Sequence, residues 1–272
     1  MRVMHSALFR SLLAVALLLS YGRSTATVQE LTHEQQKAFL LKAKVVSSKQ
    51  TKKGVTNPFL LTLNDGTTTH EAVFQSVDER STSMKFANGR SEMNFVDSYK
   101  YNVAAYLLAE MLGLDDLVPV YVERRWNGRT GSLSWVVPVM MDEEDRRKKN
   151  IPVPDAETWN KAMHRIRVLD ELVYDTDANF TNVLISPDWK LWRVDFSRAF
   201  RIFKDVRNSD NLVRCDRQLL ERLRALNEAD FMQRTRSFLS KLEQQGVMAR
   251  RDKIVDHFQK LIALKGEAAV LY

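Results

Sequence analysis

One stretch decides the fold of this chain: residues 170–200, with the sequence DELVYDTDANFTNVLISPDWKLWRVDFSRAF. Apolar residues recur at helical spacing over 155–174, which predicts an amphipathic helix that runs into an Asp/Asn-rich loop. Two short apolar runs follow within 182–194, and the Ser-Pro-Asp sequence between them predicts a turn. The stretch is therefore expected to fold as helix, polar loop and β-hairpin.

This hairpin is expected to bring three oxygen-bearing side chains together: Asp177, Asn182 and Asp195. Phosphoryl transfer needs such a set, because one carboxylate accepts the proton of the attacking hydroxyl, while an amide and a second carboxylate bind Mg²⁺. Taken alone, Asp-x-x-x-x-Asn is more typical of a surface turn. The context of helix, loop, hairpin and Asp-Phe favours a catalytic site.

The spacing of these residues resembles the catalytic and metal loops of protein-kinase-like enzymes. It is most similar to the atypical branch, which includes HipA-like, phosphatidylinositol-kinase-like and secretory-pathway kinases. Residues 43–272 also resemble exported bacterial kinase-like proteins of unknown substrate. The stretches that carry this second resemblance are 52–58, 69–78, 101–106 and 170–182.

The resemblance implies an α+β fold with two lobes. A small lobe, 27–140, would contain a five-stranded antiparallel sheet and a helix, and a mainly helical large lobe, 141–272, would carry the catalytic and metal loops. The predicted strands are 43–47, 59–63, 71–77, 117–124 and 131–137, and the helix is 98–112, capped by Asp97. Beyond Phe200, helices are predicted at 216–226, 228–244 and 247–265, with Gly246 and Gly266 at helix ends.

The same resemblance places nucleotide-binding residues in the small lobe. A polar, glycine-containing loop between the first two strands would cover the triphosphate, through Ser48, Lys49, Lys53 and Gly54. The segment after the fifth strand would be the interlobe hinge, where the backbone of Val136 and Val137 would hydrogen-bond adenine. An exposed basic hairpin and a buried strand are the alternative interpretations of these two segments.

One departure from active kinases concerns a charged pair. The third strand of a kinase usually carries a Lys that binds the phosphates and pairs with a Glu on the following helix. The matching positions here are Gln75 and Asn102, which lack both charges and could still hydrogen-bond across the gap. Ser197 replaces the glycine that usually follows Asp-Phe.

The first 26 residues predict a secretory signal peptide. Arg2 and Arg10 precede an apolar run at 12–19, and small residues follow at 24–26. The run is too short to span a bilayer comfortably, so an uncleaved anchor is the less favoured alternative. An exported protein, periplasmic or extracellular, is expected.

Composition narrows the classes of partner. The net charge of +7 includes three arginines of the first 26 residues, and no basic stripe interleaved with aromatics suggests nucleic acid. The single cysteine, Cys215, excludes an intrachain disulfide. The five histidines are scattered without the spacing of zinc ligands. We expect a monomer that acts on an unidentified protein or small molecule.

Two functions follow from these residues. The first is an exported phosphotransferase that uses ATP with Mg²⁺ or Mn²⁺, with Asp177 as the base and Asn182 and Asp195 as metal ligands. The second is a pseudokinase, which would bind nucleotide or another protein without transfer. The neutral pair of Gln75 and Asn102 favours the second, as does the scarcity of ATP outside the cytoplasm. Transfer of AMP to a protein hydroxyl is a weaker third possibility.

Overall fold

The computed structural model describes residues 31–51, 58–85, 89 and 91–272. Residues 32–272 belong to one structural unit. The predicted signal peptide and two predicted nucleotide-binding residues, Lys53 and Gly54, lie outside the described residues. Within the described ranges, no helix is both long and apolar enough to cross a membrane.

The structure contains three sheets. Their strands are β1 (Lys44–Gln50), β2 (Phe59–Asn64), β3 (Thr69–Gln75), β4 (Asp78–Lys85), β5 (Ser91–Ser98), β6 (Tyr121–Trp126), β7 (Arg129–Trp135), β8 (Met141–Asp142), β9 (Val183–Ile185) and β10 (Leu191–Arg193). The helices are α1 (His33–Lys42), α2 (Tyr99–Leu112), α3 (Glu143–Lys148), α4 (Ala156–Val173), α5 (Arg217–Ala225), α6 (Glu228–Thr235), α7 (Lys241–Lys265) and α8 (Glu267–Val270).

The largest sheet has five strands in the order β1-β2-β3-β7-β6, and all neighbours are antiparallel. Alternate residues of its central strands are buried, which is the pattern of a sheet with one face on the core. These residues are Leu61, Leu63, Ala72, Phe74 and Leu133. The helices α1 and α2 pack against β6 and β7. The predicted α+β architecture with a five-stranded antiparallel sheet is confirmed.

A second, two-stranded sheet was not predicted. It is the hairpin β4–β5, inserted between β3 and α2. Its first strand, DERSTSMK, has no alternation of apolar and polar residues, and most of its side chains are exposed. The strand signal was therefore absent from the sequence. Arg80 ties this hairpin to the helical part of the chain through an ion pair with Glu243 at 3.3 Å.

The helix α2 follows the hairpin directly. Its N-cap is Ser98 rather than the predicted Asp97, and the Ser98 hydroxyl accepts a hydrogen bond from the Lys100 N–H at 3.4 Å. The helix ends as predicted at Gly113, whose φ of 62° is left-handed. A Cβ at this position would also meet the Arg222 guanidinium, which would have to move aside.

The helix α4 and the small hairpin beyond it match the sequence closely. Asp155 caps α4 by accepting hydrogen bonds from two backbone N–H groups of its first turn, at 2.9 and 3.2 Å. The strands β9 and β10 pair antiparallel, with Val183 opposite Arg193 and Ile185 opposite Leu191. The short strand β8 completes this sheet, next to β9.

The prediction of the last helices was partly wrong. The predicted helix 228–244 is broken, since α6 ends at Thr235 and α7 begins at Lys241. A capping box of Ser240 and Glu243 starts α7, and the sequence pattern for it was overlooked. Gly246 lies inside α7 instead of at a helix end. A Cβ there would come within 3.1 Å of the Arg201 carbonyl oxygen, so this glycine permits close packing.

Candidate active site

A cleft of about 1180 Å³ is lined both by the five-stranded sheet and by the loops at the two ends of the β9–β10 hairpin. Six of the predicted site residues line it: Gln75, Val136, Val137, Asp177, Asn182 and Asp195. The structure therefore brings together the predicted base and both predicted metal ligands. It also places them opposite the sheet residues that were expected to bind nucleotide.

The loop between α4 and β9 carries Asp177. The Asp177 N–H donates to Asp175 Oδ1 at 2.9 Å, and the Asp177 carbonyl oxygen accepts from Asn179 Nδ2 at 2.8 Å and from Asn182 Nδ2 at 3.3 Å. These local bonds fix the backbone of the loop. The Asp177 side chain is exposed and lines the cleft, so its carboxylate can reach an acceptor.

The surroundings of Asp177 favour its role as a base. Although the side chain is exposed, partial desolvation of its carboxylate at the cleft wall raises the pKa of Asp177. The nearby charges of Asp175 and Asp195 raise this pKa further. The guanidinium of Arg198 opposes this shift. A raised pKa makes the carboxylate a stronger proton acceptor, which suits general-base catalysis.

The metal loop holds Asp195 in a strained backbone conformation. Its φ of 59° is left-handed, which is uncommon for a residue other than glycine. Three hydrogen bonds support it: the Asp195 N–H donates to Tyr121 Oη at 3.3 Å, the Ser197 N–H donates to Asp195 Oδ1 at 3.3 Å, and the Val194 N–H donates to the Asn182 carbonyl oxygen at 3.0 Å. The last bond keeps the two predicted metal ligands side by side.

The donor set fits a hard divalent cation. Asn182 and Asp195 supply oxygen atoms, which Mg²⁺ and Mn²⁺ prefer. Asp97 lies beside them and interacts electrostatically with Asp195, and its buried Oδ1 atom has no hydrogen-bond partner. The described residues contain no group of three acidic, histidine or cysteine side chains that could hold a metal ion. The remaining oxygens would come from a nucleotide, as is common for Mg²⁺.

A buried arginine, which the sequence reasoning missed, braces both loops. Arg193 has no exposed surface; its Nε donates to Asp170 Oδ1 at 2.8 Å and its Nη2 pairs with Asp175. Its Nη1 donates to the carbonyl oxygens of Val194 and Asp195. Because two carboxylates share one cation in a desolvated place, burial raises the pKa of Asp170 to about 6. An arginine inside an apolar strand was the signal available in the sequence.

The pair of Gln75 and Asn102 is present as a hydrogen bond, as the sequence suggested. Asn102 Nδ2 donates to Gln75 Oε1 at 2.7 Å and to Ser132 Oγ at 3.3 Å. Asn102 Oδ1 accepts from the Phe196 N–H at 2.7 Å, so this amide connects the sheet to the metal loop. Asn102 is buried and does not line the cleft, in contrast to its predicted role in nucleotide binding.

Comparison with known proteins gives a result for structure only. No family model and no curated protein matches the sequence. Many solved structures are similar, among them the following three. The structure of hydra Fam20 with sugar has a TM-score of 0.64 and 14% identity over 88% of this chain and 91% of that chain. The Golgi casein kinase has a TM-score of 0.61 and 12% identity over 88% and 78% of the two chains.

The third structure is the proinflammatory kinase CtkA of Helicobacter pylori, with a TM-score of 0.51 and 10% identity over 83% of this chain and 98% of that chain. All three have atypical protein-kinase-like folds. This chain has an atypical protein-kinase fold.

Within this kinase-like fold, the two described residues of the predicted glycine loop lie elsewhere than expected. Ser48 and Lys49 belong to β1, where they pair with Leu61 and Leu60, and neither lines the cleft. The reason is that β1 extends to Gln50, three residues beyond the predicted end. The sequence placed the start of the loop too early.

In the segment predicted to be the interlobe hinge, both backbone polar groups of Val136 already have partners. The Val136 N–H donates to the Glu71 carbonyl oxygen at 3.2 Å, and the Val136 carbonyl oxygen lies 2.9 Å from His70 Nε2. His70 in turn stacks on Trp135. Of the two residues predicted to hydrogen-bond adenine, Val137 is therefore the one whose backbone N–H and carbonyl are not already engaged by Glu71 or His70.

Several cleft residues were not predicted because they lie on or beside the unpredicted hairpin. They are Met84, Phe95, Asp97 and Arg198. Burial raises the pKa of Asp97, while a hydrogen bond with the Ser197 side chain opposes the shift. The hairpin thus forms a wall of the kinase-like cleft next to the metal loop.

Proposed function

We propose that this chain is an atypical kinase-type phosphotransferase that uses ATP with Mg²⁺ or Mn²⁺. The observation that carries the proposal is the convergence of Asp177, Asn182 and Asp195 on one cleft, with Arg193 holding both loops from behind. A structural role alone does not require these three side chains to face one cavity. The kinase-like fold of the three solved structures supports the same class of reaction.

The reaction would follow from the positions of these residues. The acceptor hydroxyl oxygen forms a bond to the γ-phosphorus, and the bond from that phosphorus to the β,γ-bridging oxygen breaks, with its electron pair leaving on ADP. The hydroxyl proton passes to the Asp177 carboxylate. Asn182 and Asp195 would hold the divalent cation, which neutralises phosphate charge when bound.

A pseudokinase is the second candidate. The observation in its favour is the neutral bond between Gln75 and Asn102 at 2.7 Å, which provides no positive charge for phosphates. Such a chain would act as a nucleotide-binding or interaction module without transfer.

Incubation of the purified mature chain with ATP labelled at the γ-phosphate, plus Mn²⁺, distinguishes the two candidates. We expect label on the protein or on an added hydroxyl acceptor for the wild type, and a loss of about 10²–10⁴-fold in the rate for Asp177→Asn. Nucleotide binding without any transfer, in the wild type as in Asp177→Asn, would favour the pseudokinase.

We also propose that the protein is exported to the periplasm or beyond. The support is the leader pattern of Arg2, Arg10 and the apolar run 12–19. The mature chain is expected to begin near Thr27. N-terminal sequencing of the protein from separated cell fractions tests this, and an intact Met1 in the cytoplasmic fraction would contradict it.

A further inference from the structure

The proposed reaction leaves a charge problem in the cleft. A triphosphate carries several negative charges, and Gln75 with Asn102 cannot offset them. Only two cationic side chains line the cleft among the described residues, Arg129 and Arg198. Lys100, a candidate substitute from the sequence, instead pairs with Asp78 at 2.7 Å and does not line the cleft.

Arg198 is held between the two catalytic loops. It lies three residues after Asp195, and its carbonyl oxygen accepts hydrogen bonds from the Thr176 N–H at 3.3 Å and from Thr176 Oγ1 at 3.1 Å. Thr176 directly precedes Asp177. Arg198 lines the same cleft as Asp177 and Asp97, and its charge partly offsets the desolvation that raises the pKa of both carboxylates.

The side chain of Arg198 shares its carboxylate partner with a second arginine. Glu92 of β5 pairs with Arg198 through Oε2 and with Arg201 through Oε1. Arg201 is the more deeply buried of the two, with 6% of its side chain exposed against 15% for Arg198. Arg201 also donates to Thr176 Oγ1 at 3.2 Å and to the Val96 carbonyl oxygen at 3.3 Å.

This arrangement gives Glu92 two arginine partners. If Arg198 turned towards the cleft, Glu92 would keep Arg201 as its partner and would not be left as an unpaired charge. The ring of Phe95 lies 4.5 Å from the Arg198 guanidinium carbon and offers a flat surface on which the guanidinium can turn.

We propose that Arg198 contacts the γ-phosphate of ATP and supplies the positive charge that Gln75 does not. This inference rests on the proposed phosphotransferase function. A guanidinium suits the task because it binds phosphate oxygens through two parallel N–H groups. The competing view is that Arg198 only fastens the β4–β5 hairpin to the metal loop through Glu92.

Isothermal titration with ATP and with ADP, each with Mn²⁺, tests the contact without relying on turnover. We expect Arg198→Met to weaken ATP binding by about ten- to a hundredfold, since a charge-assisted contact is lost. The affinity for ADP should change less than about twofold, because ADP lacks the γ-phosphate. Arg129→Met is the matched control, and it should lower the affinities for the two nucleotides equally or not at all.

Glu92→Gln distinguishes a phosphate contact by Arg198 from a purely structural role in holding the β4–β5 hairpin. The variant removes the ion pair between Glu92 and Arg198 and keeps the Arg198 guanidinium. We expect this variant to retain more of the ATP affinity than Arg198→Met. An equal, ATP-selective loss in both variants would overturn the proposal, as would unchanged ATP affinity in Arg198→Met. If Arg198→Met does not fold, Arg198→Gln replaces it.

Two further outcomes are decisive. If Lys53→Ala loses ATP affinity selectively and Arg198→Met does not, the loop lysine fills the role and the proposal for Arg198 is wrong. If the wild type binds neither nucleotide with any divalent metal, the proposed function itself fails. The wild-type titration therefore distinguishes failure of the function from failure of this inference.

Discussion

The two sides of the cleft hold their polar residues by different means. On the loop side, the side chains beneath the catalytic and metal loops are charged: Arg193 is bound to Asp170 and Asp175 with no exposed surface of its own. On the sheet side, the position of the usual charged pair is neutral, with Gln75 and Asn102 joined by one amide hydrogen bond.

The difference indicates which part of the proposed phosphoryl-transfer site is more firmly held in place. A buried charged network is costly to break, so the geometry of the catalytic and metal loops is firmly specified. A neutral amide pair positions the metal loop through the Phe196 N–H, but it adds no attraction for phosphate. We therefore expect a well-formed transfer site with modest affinity for nucleotide.

The largest expected effect comes from breaking the charged side. Arg193→Met leaves the buried Asp175 and the partly buried Asp170 without their cation, which should lower the free energy of unfolding by about 3–5 kcal/mol. Arg217→Met is the control, because its pair with Glu267 is about half exposed and should contribute less than about 1 kcal/mol. Urea denaturation measures both. Similar losses in the two variants would show that the brace contributes no special stability.

Introducing a charged pair on the sheet side of the cleft should raise the affinity for ATP. The double change Gln75→Lys with Asn102→Glu is expected to tighten ATP binding by about 1.5–3 kcal/mol, or roughly ten- to a hundredfold. Glutamate at 102 keeps an oxygen that can accept from the Phe196 N–H. Gln75→Lys alone should gain less, because an unpartnered lysine is poorly held. Titration calorimetry with ATP and Mg²⁺ decides, and a double variant that binds no better would contradict the charge argument.

A smaller effect is expected when the neutral pair is cut. Gln75→Met removes the acceptor for Asn102 Nδ2, which still reaches Ser132 Oγ at 3.3 Å. The free energy of unfolding should fall by about 1 kcal/mol. Gln50→Met, on exposed β1, should change it by less than about 0.5 kcal/mol. A loss as large as that of the Arg193 variant would show that the two sides are equally critical.

Asp170 and Asp175 share the cation of Arg193, and this arrangement should affect how the free energy of unfolding depends on pH. Since burial raises the pKa of Asp170 from 3.8 to about 6, the unfolded chain ionises this group at a lower pH than the folded one. The contribution of Asp170 to the free energy of unfolding is fully present below about pH 4, where the group is protonated in both states. This contribution is lost as the pH rises from about 4 to 6. Stability measured relative to Asp170→Asn should therefore fall across this window. A flat difference would contradict the shift.

Sequence reasoning succeeded where the signals were local. The cap at Asp155, the apolar period of α4 and the turn chemistry of the β9–β10 hairpin lie within a few residues of what they determine, and these elements were predicted correctly. The third strand and the partnership of Gln75 with Asn102 were also found, because a kinase-like pattern specified both positions.

Features that depend on distant contacts were missed. The strand β4 is polar because its hairpin is held by ion pairs to residues more than a hundred positions away, so no apolar alternation marks it. Arg193 is separated by 23 and 18 residues from its two carboxylates. Pairing with Leu60 places Lys49 in β1, whereas a polar local sequence had suggested a loop.

The central claim is that Asp195 binds the cation and Asp177 acts on the acceptor. Titration of ATP with Mg²⁺ into the wild type, Asp195→Asn and Asp177→Asn tests it most directly. We predict that Asp195→Asn abolishes metal-dependent binding, while Asp177→Asn binds as the wild type does and transfers phosphate about 10²–10⁴-fold more slowly. Equal binding by the wild type and Asp195→Asn would contradict the assignment of the metal site.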